Sequence, residues 1–260
     1  MRFIDIDRLS PSEEWKAKAA TQQKEITDGA KEPDACGETW RALRDELARL
    51  SAKKCYYCEA FLTRAAFDVD HFRPKSLYRF LALTPTNFRL ACHYCNRLHR
   101  NPETGRVEGK GKNFPLIDNG AHAASETDLV LENPALLDPC NAADPLLLGF
   151  LADGSACAAD PEDETLAKRV AISETLFSLN EPKVKTARHE VARAVAAKVA
   201  DIMVAVARHP RHADHWPQVS AHVRDLKQLI RGEAEFSAFA RAMLRTHRGK
   251  PWVDRILDTA

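Results

Sequence analysis

Two Cys-x2-Cys pairs, Cys55/Cys58 and Cys92/Cys95, constrain this chain more than any other feature, and 33 residues separate them. Four thiolates complete the tetrahedral shell that Zn²⁺ prefers, and a site with four protein sulfur ligands is structural rather than catalytic. Redox-active pairs of the thioredoxin type are the alternative, but they need a βαβ setting that the flanking sequence lacks. We therefore predict that these four cysteines bind a structural zinc ion.

The other cysteines and the apolar content predict a protein of a reducing, aqueous compartment. Cys36, Cys140 and Cys157 bring the total to an odd seven, and in such a compartment close cysteine pairs indicate metal ligands before disulfides. No apolar run reaches the roughly 18 residues of a membrane span, and the opening residues lack a signal-peptide pattern. We expect a cytoplasmic protein with no membrane partner.

The charge distribution points to a local polyanion-binding face. The formal net charge is +1, but residues 53–113 contain 12 Lys and Arg against 5 Asp and Glu. A basic segment within an acidic remainder is typical of a surface that contacts phosphates, although a run of charges is also common on an ordinary solvated surface.

Hydrophobic periodicity predicts helices on both sides of the cysteine segment. Residues 12–27 and 35–50 are helical candidates, and in the second Trp40, Leu43, Leu47 and Leu50 form one apolar stripe. From Asp163 onward the pattern is helical again, with a first long helix that Pro210 should end. We predict a mainly α fold with a small α+β insert, divided into residues 1–52, a zinc-stabilised module at 53–118, and a bridge with C-terminal helices at 119–260.

Within the insert, short runs and turn residues predict two strands and a short helix. The strand candidates are AAFDVD at residues 65–70 and FRLAC at 88–92, and HYCNRLHRN at 93–101 can form a short helix. The polar, glycine-rich segment at 101–113 is predicted to be a mobile loop, and the proline-rich stretch after it to be an irregular or strand-containing bridge.

Asp70 and His71 lie at the end of the first predicted strand, inside the loop that zinc would close. If four sulfurs saturate the metal, His71 is not needed as a zinc ligand. Asn96 directly follows the last cysteine, so the zinc site should hold it near the start of the short helix. A strand-end Asp and a helix-borne Asn can then converge on one cation, whereas the equally acidic Asp68 is expected to lie outside the site.

These residues resemble the HNH, or ββα-metal, nuclease family, in the branch with paired zinc-binding cysteines. The resemblance covers residues 55–100 and includes Asn87 between the two predicted strands. It implies that His71 is the general base, that Asp70 and Asn96 bind one Mg²⁺ or Mn²⁺ ion, and that Asn87 holds the histidine in place across the loop. Some members of the family have His where this chain has Asn96, which favours an oxygen-ligated ion here.

The chemistry of phosphodiester hydrolysis suits these residue types. A neutral imidazole accepts the proton of the attacking water, and a divalent cation offsets the charge that develops on the phosphate. Arg73 and Lys75 follow the base directly, and Arg97 and Arg100 lie in the predicted short helix. We predict that these four basic residues contact phosphates, although surface charge is the ordinary role of such residues.

A looser resemblance extends over residues 50–195, to the small HNH proteins encoded beside an ATPase in Septu-type and retron-linked anti-phage systems. It rests on HFRPKS, NFRLACHYCN, FPLID and LFSLNEPKVKTARHE. It implies an ATPase partner and a role for this chain as the DNA-cutting effector.

Two other functions stay open at the level of sequence. One is a nuclease that acts alone, in restriction or on DNA junctions. The other is a non-catalytic zinc module that binds nucleic acid or a protein, for which Asp70 and His71 would be incidental. Their joint presence with Asn96 favours the enzyme, because a purely structural zinc site does not require them.

Overall fold

A computed structural model describes residues 1–63, 66–117, 120–208 and 217–258 of the chain. Helices flank a small β region, with the following bounds: α1 Glu13–Thr27, α2 Gly37–Arg41, α3 Arg44–Leu50, β1 Asp68–His71, β2 Phe88–Ala91, α4 His93–Asn96, β3 His99–Arg100, β4 Val107–Glu108, β5 Leu148–Phe150, β6 Ala156–Ala158, α5 Glu164–Leu176, α6 Pro182–Arg208, α7 Pro217–Ile230, α8 Ser237–Arg245 and α9 Pro251–Asp258. The predicted mainly α fold with a small β insert is confirmed.

The N-terminal helices follow the predicted apolar stripe, with one difference. Helix α1 begins after Ser12, whose side chain accepts a hydrogen bond from the Trp15 amide and so caps the helix. The predicted helix at 35–50 is instead a 3-10 turn followed by α2 and α3, because Leu43 has a ψ angle of 0° and interrupts the helical ladder. The break still leaves Trp40, Leu43 and Leu47 buried.

Strands β1 and β2 form an antiparallel pair that carries the candidate site. Their register places Asp70 opposite Arg89 and His71 opposite Phe88. Helix α4 follows β2 directly, so the order of strand, loop, strand and short helix agrees with the prediction. Strand β1 begins at Asp68, three residues later than the predicted run.

The segment after α4 differs from its prediction. The predicted helix at 93–101 ends at Asn96, and β3 pairs with β4 in a hairpin. The segment predicted to be a mobile loop at 101–113 therefore contains a strand, and Lys110 within it is fully buried. Further on, β5 and β6 form a second hairpin, which agrees with a strand-containing bridge.

The C-terminal helices pack against the cysteine region in one apolar cluster. Val195, Val199 and Ile202 of α6 and Phe239 of α8 belong to the same buried cluster as Cys55 and its three partners. The predicted end of the long helix at Pro210 lies outside the described residues. In the described part of the chain, no helix combines the length and the apolar character that a membrane crossing needs.

The N-terminal segment shares a second core with the module that follows it. Trp15, Trp40 and Leu47 pack in one buried cluster with Tyr56 and Phe88. Packing is thus continuous across the predicted boundary at residue 52, and α2 is brought against the end of β1.

Candidate metal centre and hydrolytic cleft

The four paired cysteines form one buried cluster. Their Sγ atoms lie within 4.8 Å of one another, and those of Cys58 and Cys92 are 3.9 Å apart. Tetrahedral zinc with Zn–S bonds of about 2.3 Å implies sulfur–sulfur distances of about 3.8 Å. The amides of Cys92 and Cys95 point at Sγ of Cys55 and Cys92, at 3.4 Å each. The predicted metal-binding cluster is confirmed, and its all-sulfur donor set suits zinc.

The turn of the first cysteine pair is fixed by backbone and side-chain contacts of Tyr56 and Tyr57. The Tyr56 amide donates a 2.8 Å hydrogen bond to the Leu90 carbonyl, and the Tyr56 hydroxyl donates one of 3.0 Å to the Leu47 carbonyl. The neighbouring Tyr57 ring stacks on Phe177, with 3.9 Å between ring centroids. The Cys55–Cys58 turn is therefore a rigid element.

His71 is buried and held on three sides. Its imidazole makes edge contacts with Trp40 and Phe88, at centroid distances of 5.0 and 5.1 Å. Its Nε2 lies 2.8 Å from the Ala82 carbonyl oxygen. Because a carbonyl only accepts, Nε2 carries the ring proton and Nδ1 has the basic lone pair of the neutral ring. Within the described residues, Nδ1 has no hydrogen-bond partner.

Burial lowers the pKa of His71 to about 3. The hydrogen bond to Ala82 opposes this shift, and the positive charges of Lys75 and Lys110 add to it. The imidazole is therefore neutral near pH 7, which is the state that a general base requires.

Asp70 is buried and already carries two donors. The Tyr57 hydroxyl donates to its Oδ2 at 2.5 Å, and the Lys110 ammonium donates to its Oδ1 at 2.8 Å. Lys110 also donates to the His71 carbonyl at 2.7 Å. An ionised carboxylate offers about four lone-pair sites, so each oxygen retains one for a further ligand.

Asn87 spans the loop that follows His71. Its Oδ1 accepts from the Arg73 amide at 2.8 Å, and its Nδ2 donates to the carbonyls of Arg73 and Leu81 at 2.9 and 3.3 Å. The Asn87 carbonyl accepts from the Phe72 amide at 2.8 Å. This buried amide fixes the backbone on both sides of the loop that supplies Ala82, the partner of the His71 ring.

Asn96 contacts Asp68 rather than Asp70. Its Nδ2 donates to Asp68 Oδ2 at 3.1 Å, and the same carboxylate receives Arg97 through two nitrogens at 2.8 and 2.6 Å. Asp68 was expected to lie outside the site, but alternation along β1 puts it on the same face as Asp70. The convergence of Asp70 and Asn96 on one cation stays a prediction, and Asn96 Oδ1 has no hydrogen-bond partner among the described residues.

Asp70 and His71 together line a cleft of about 240 Å³. The N-terminal segment supplies one wall and the loop after β1 another. The residues of this His71 cleft are Glu32, Pro33, Asp34, Asp70, His71, Pro74, Lys75, Ser76, Arg79, Gly111 and Lys112. The cleft brings the predicted base and carboxylate together with three basic side chains, Lys75, Arg79 and Lys112. Two of these are paired with acidic residues of the opposite wall, Lys75 with Asp34 and Arg79 with Glu32.

The predicted phosphate-binding residues occupy different environments. Lys75 lines the cleft, where its Nζ lies 3.1 Å from the exposed Asp34 carboxylate. Arg73 turns inward, since its Nε donates to the buried Glu132 carboxylate at 2.8 Å. Arg97 is exposed but paired with Asp68, and Arg100 donates to the Gly105 carbonyl at 2.5 Å within its own hairpin. The geometry favours Lys75 and gives Arg73 a structural partner.

Sequence reasoning missed Trp40, Tyr57 and Lys110, each of which contacts Asp70 or His71. Tyr57 lies between Cys55 and Cys58, but so does Tyr56, whose hydroxyl donates to the Leu47 carbonyl instead, so position between the cysteines does not single out Tyr57. Lys110 is 40 residues from its partner Asp70, and only its flanking glycines, Gly109 and Gly111, marked it as unusual.

These features define a small ββα module supported by a metal-binding cysteine cluster, and residues 55–101 match the family model described as HNH endonuclease. This segment is an HNH domain. The chain is also similar to the Septu protein PtuB of Bacillus mycoides (strain KBAB4), at 26% identity over 159 residues, which cover 54% of this chain and 47% of that protein. The chain thus spans about half the length of the curated relative that it matches. Both predicted resemblances are confirmed.

Proposed function

We propose that this protein is a metal-dependent DNA endonuclease in which His71 is the general base. The orientation of the His71 ring is the observation that carries this proposal. The Ala82 carbonyl accepts a hydrogen bond from Nε2–H, and burial keeps the ring neutral, so the lone pair of Nδ1 is ready to accept the proton of a water molecule. That water then attacks phosphorus, and the 3′ oxygen leaves with help from an acid or a cation.

A catalytic Mg²⁺ or Mn²⁺ ion suits the oxygen donors of Asp70 and Asn96. Asp70 supplies a carboxylate with spare lone pairs, and Asn96 supplies an amide oxygen. When bound, such a cation offsets charge on the phosphate and on the leaving oxygen. Asn87 holds the loop that carries Ala82, the hydrogen-bond partner of the His71 ring, so Asn87 positions the base and does not react itself.

The decisive experiment is a cleavage assay with the purified, zinc-loaded protein. We expect nicking or cleavage of plasmid DNA in Mg²⁺ or Mn²⁺ and none in EDTA at concentrations that leave the cysteine-bound zinc in place. Zinc content measured after each incubation is the control. DNA that stays intact under all these metal conditions, also with an ATPase partner added, would contradict the proposal.

Lys75 is proposed to contact a substrate phosphate in competition with Asp34. We expect Lys75→Gln to weaken DNA binding about three- to tenfold and to reduce the salt dependence of binding by about one unit of log–log slope, because one phosphate contact is lost. Asp34→Asn should tighten binding about two- to fivefold, because it removes both a repulsive charge and the partner of Lys75. Fluorescence anisotropy at several salt concentrations measures both effects.

Arg73→Gln is the matched comparison for Lys75. Since Arg73 pairs with Glu132 inside the fold, this variant should lower the unfolding temperature, with little change in DNA affinity. Equal losses of affinity in the two variants would contradict the distinction between these neighbours. Arg97 and Arg100 are proposed as weaker contacts on the exposed hairpin.

The similarity to a Septu protein supports a role in anti-phage defence with an ATPase partner. The similarity at 26% identity and the HNH domain are the observations behind this part of the proposal. An ATPase gene beside this one, and co-purification of its product with a tagged form of this chain, are the expected results. A neighbouring methyltransferase gene would favour restriction instead.

A non-catalytic zinc module is the second candidate function. The buried ion pair of Lys110 and Asp70 favours it, because two buried charges need each other as partners even in a protein without any reaction. This function predicts DNA or protein binding without cleavage, and no second metal bound to the zinc-loaded protein.

A further inference from the structure

One side chain links each cysteine pair to Asp70 and His71: Tyr57 for the first cysteine pair and Lys110 for the second. From the first pair, Tyr57 lies between Cys55 and Cys58 and donates its hydroxyl to Asp70 Oδ2 at 2.5 Å. Tyr57 is fully buried, and its stacking on Phe177 leaves the hydroxyl little freedom. A change in the position of this cysteine turn would therefore be transmitted to the carboxylate.

Lys110 makes the corresponding link from the second pair. Its amide donates to the Cys95 carbonyl at 3.1 Å, and the next amide, of Gly111, donates to the Asn96 carbonyl at 2.8 Å. Its ammonium, with no exposed surface, then bridges Asp70 Oδ1 and the His71 carbonyl. The path from Cys95 to both residues of the pair thus runs through one side chain.

We propose that Tyr57 and Lys110 are positioning residues, which join the cysteine-bound metal and the Asp70–His71 pair into one hydrogen-bonded unit. The charge of Lys110 is then a fixed neighbour of the catalytic cation. This inference rests on the proposed function for its catalytic part. The two donors fix the rotamer of Asp70 by occupying one lone pair on each oxygen. The Lys110 bond to the His71 carbonyl also fixes the main chain that carries the base.

The two residues differ in charge, which separates their effects. Lys110 places a cation 2.8 Å from Asp70 Oδ1, so it repels a divalent ion bound to that carboxylate while keeping the carboxylate in place. Tyr57 supplies a donor at 2.5 Å from Asp70 Oδ2 without a net charge. Removal of Lys110 should therefore tighten the binding of the ion and slow the reaction, whereas removal of the Tyr57 hydroxyl should only slow the reaction.

The test compares zinc-loaded Lys110→Met and Tyr57→Phe with the wild-type protein and with Lys168→Met. Lys168 is exposed on α5 and serves as a control for the loss of one lysine charge. Mn²⁺ binding without DNA is followed by the EPR signal of free Mn²⁺, and cleavage by single-turnover kinetics at varied enzyme concentration. Zinc content and thermal unfolding are measured for every variant.

We expect Lys110→Met to bind Mn²⁺ about tenfold more tightly than Lys168→Met, and Tyr57→Phe to bind it within about twofold of the wild type. Both variants should reduce the maximal cleavage rate at least tenfold, with little change in the DNA concentration dependence. If Lys110→Met does not fold with a full complement of zinc, Lys110→Arg, which keeps the charge, should show wild-type Mn²⁺ affinity.

Equal Mn²⁺ affinities in Lys110→Met and Lys168→Met would overturn the proposed position of the Lys110 charge, whether or not the protein cuts DNA. Unchanged cleavage rates in both site variants would overturn the positioning role. A wild-type protein that binds Mn²⁺ in the expected manner but never cuts DNA would contradict the proposed function and leave the linkage supported.

Discussion

His71→Ala is expected to slow DNA cleavage by about 10²- to 10⁴-fold, the range that positioned proton transfer contributes to enzymatic rates. The ring is oriented by the Ala82 carbonyl and held between Trp40 and Phe88. Zinc content and DNA affinity should stay close to those of the wild type. Single-turnover cleavage at saturating enzyme measures the effect on the chemical step.

Removing a buried ring also has a stability cost that must be separated from catalysis. Truncation of large buried side chains costs about 2–5 kcal/mol, so the alanine variant should unfold at a lower temperature. His71→Asn leaves a smaller cavity and keeps a side chain able to donate a hydrogen bond. His189→Ala, at an exposed histidine that contacts the Ala152 carbonyl, is the matched control. Cleavage by His71→Asn at the rate of this control would contradict the assignment of the base.

Loss of the cysteine-bound metal should have the largest effect on the fold. Structural zinc contributes about 10–16 kcal/mol of apparent binding free energy in small zinc domains, and that energy is available only to the folded state. The four thiols would otherwise be a buried polar cluster next to the apolar core. We expect Cys95→Ser, or exhaustive chelation, to lower the unfolding temperature by at least about 10 °C, since about 1 kcal/mol corresponds to 2–4 °C in chains of roughly this size.

Atomic emission should find one zinc per wild-type chain and a strongly reduced amount in Cys95→Ser. Circular dichroism during heating measures the change in unfolding temperature. Cys157→Ser is the matched control, because Cys157 is half-buried on β6 and is not part of the cluster. A Cys95→Ser protein as stable as this control would show that the metal is not structural.

The parts of the fold and site that sequence predicted rest on short-range patterns. The spacing of Cys55, Cys58, Cys92 and Cys95 predicts the cluster, because two Cys-x2-Cys pairs supply the four thiolates of a tetrahedral metal site. The short strand-like run that ends at Asp70 and His71 predicts where β1 ends. Helices such as α1 follow from the period of their apolar residues and from the Ser12 cap.

The parts that sequence could not predict depend on contacts between distant segments. Arg73 looks like a phosphate-binding residue in its local context, but Glu132, 59 residues further on, takes its guanidinium. Likewise, nothing in the local sequence of Asn96 indicates that its side-chain amide donates a hydrogen bond to Asp68 and not to Asp70. The helix broken at Leu43 shows the same limit, because Leu43 packs in one buried cluster with Tyr56 and Phe88, which the local apolar stripe does not reveal.

The β3–β4 hairpin begins and ends at one backbone junction, formed by Cys95 and Asn96 on one side and Lys110 and Gly111 on the other. Gly109 completes it with a φ angle of 94°, and a Cβ atom there would lie 2.0 Å from the Arg97 carbonyl oxygen, so only glycine fits. Asp70, His71, Asn87 and the four paired cysteines all lie at or outside this junction, and of the proposed site residues it encloses only the weaker phosphate contacts Arg97 and Arg100. The hairpin tip is accordingly a modular position, where length and sequence can diverge between related proteins, or accept a grafted peptide, while the reaction centre stays the same.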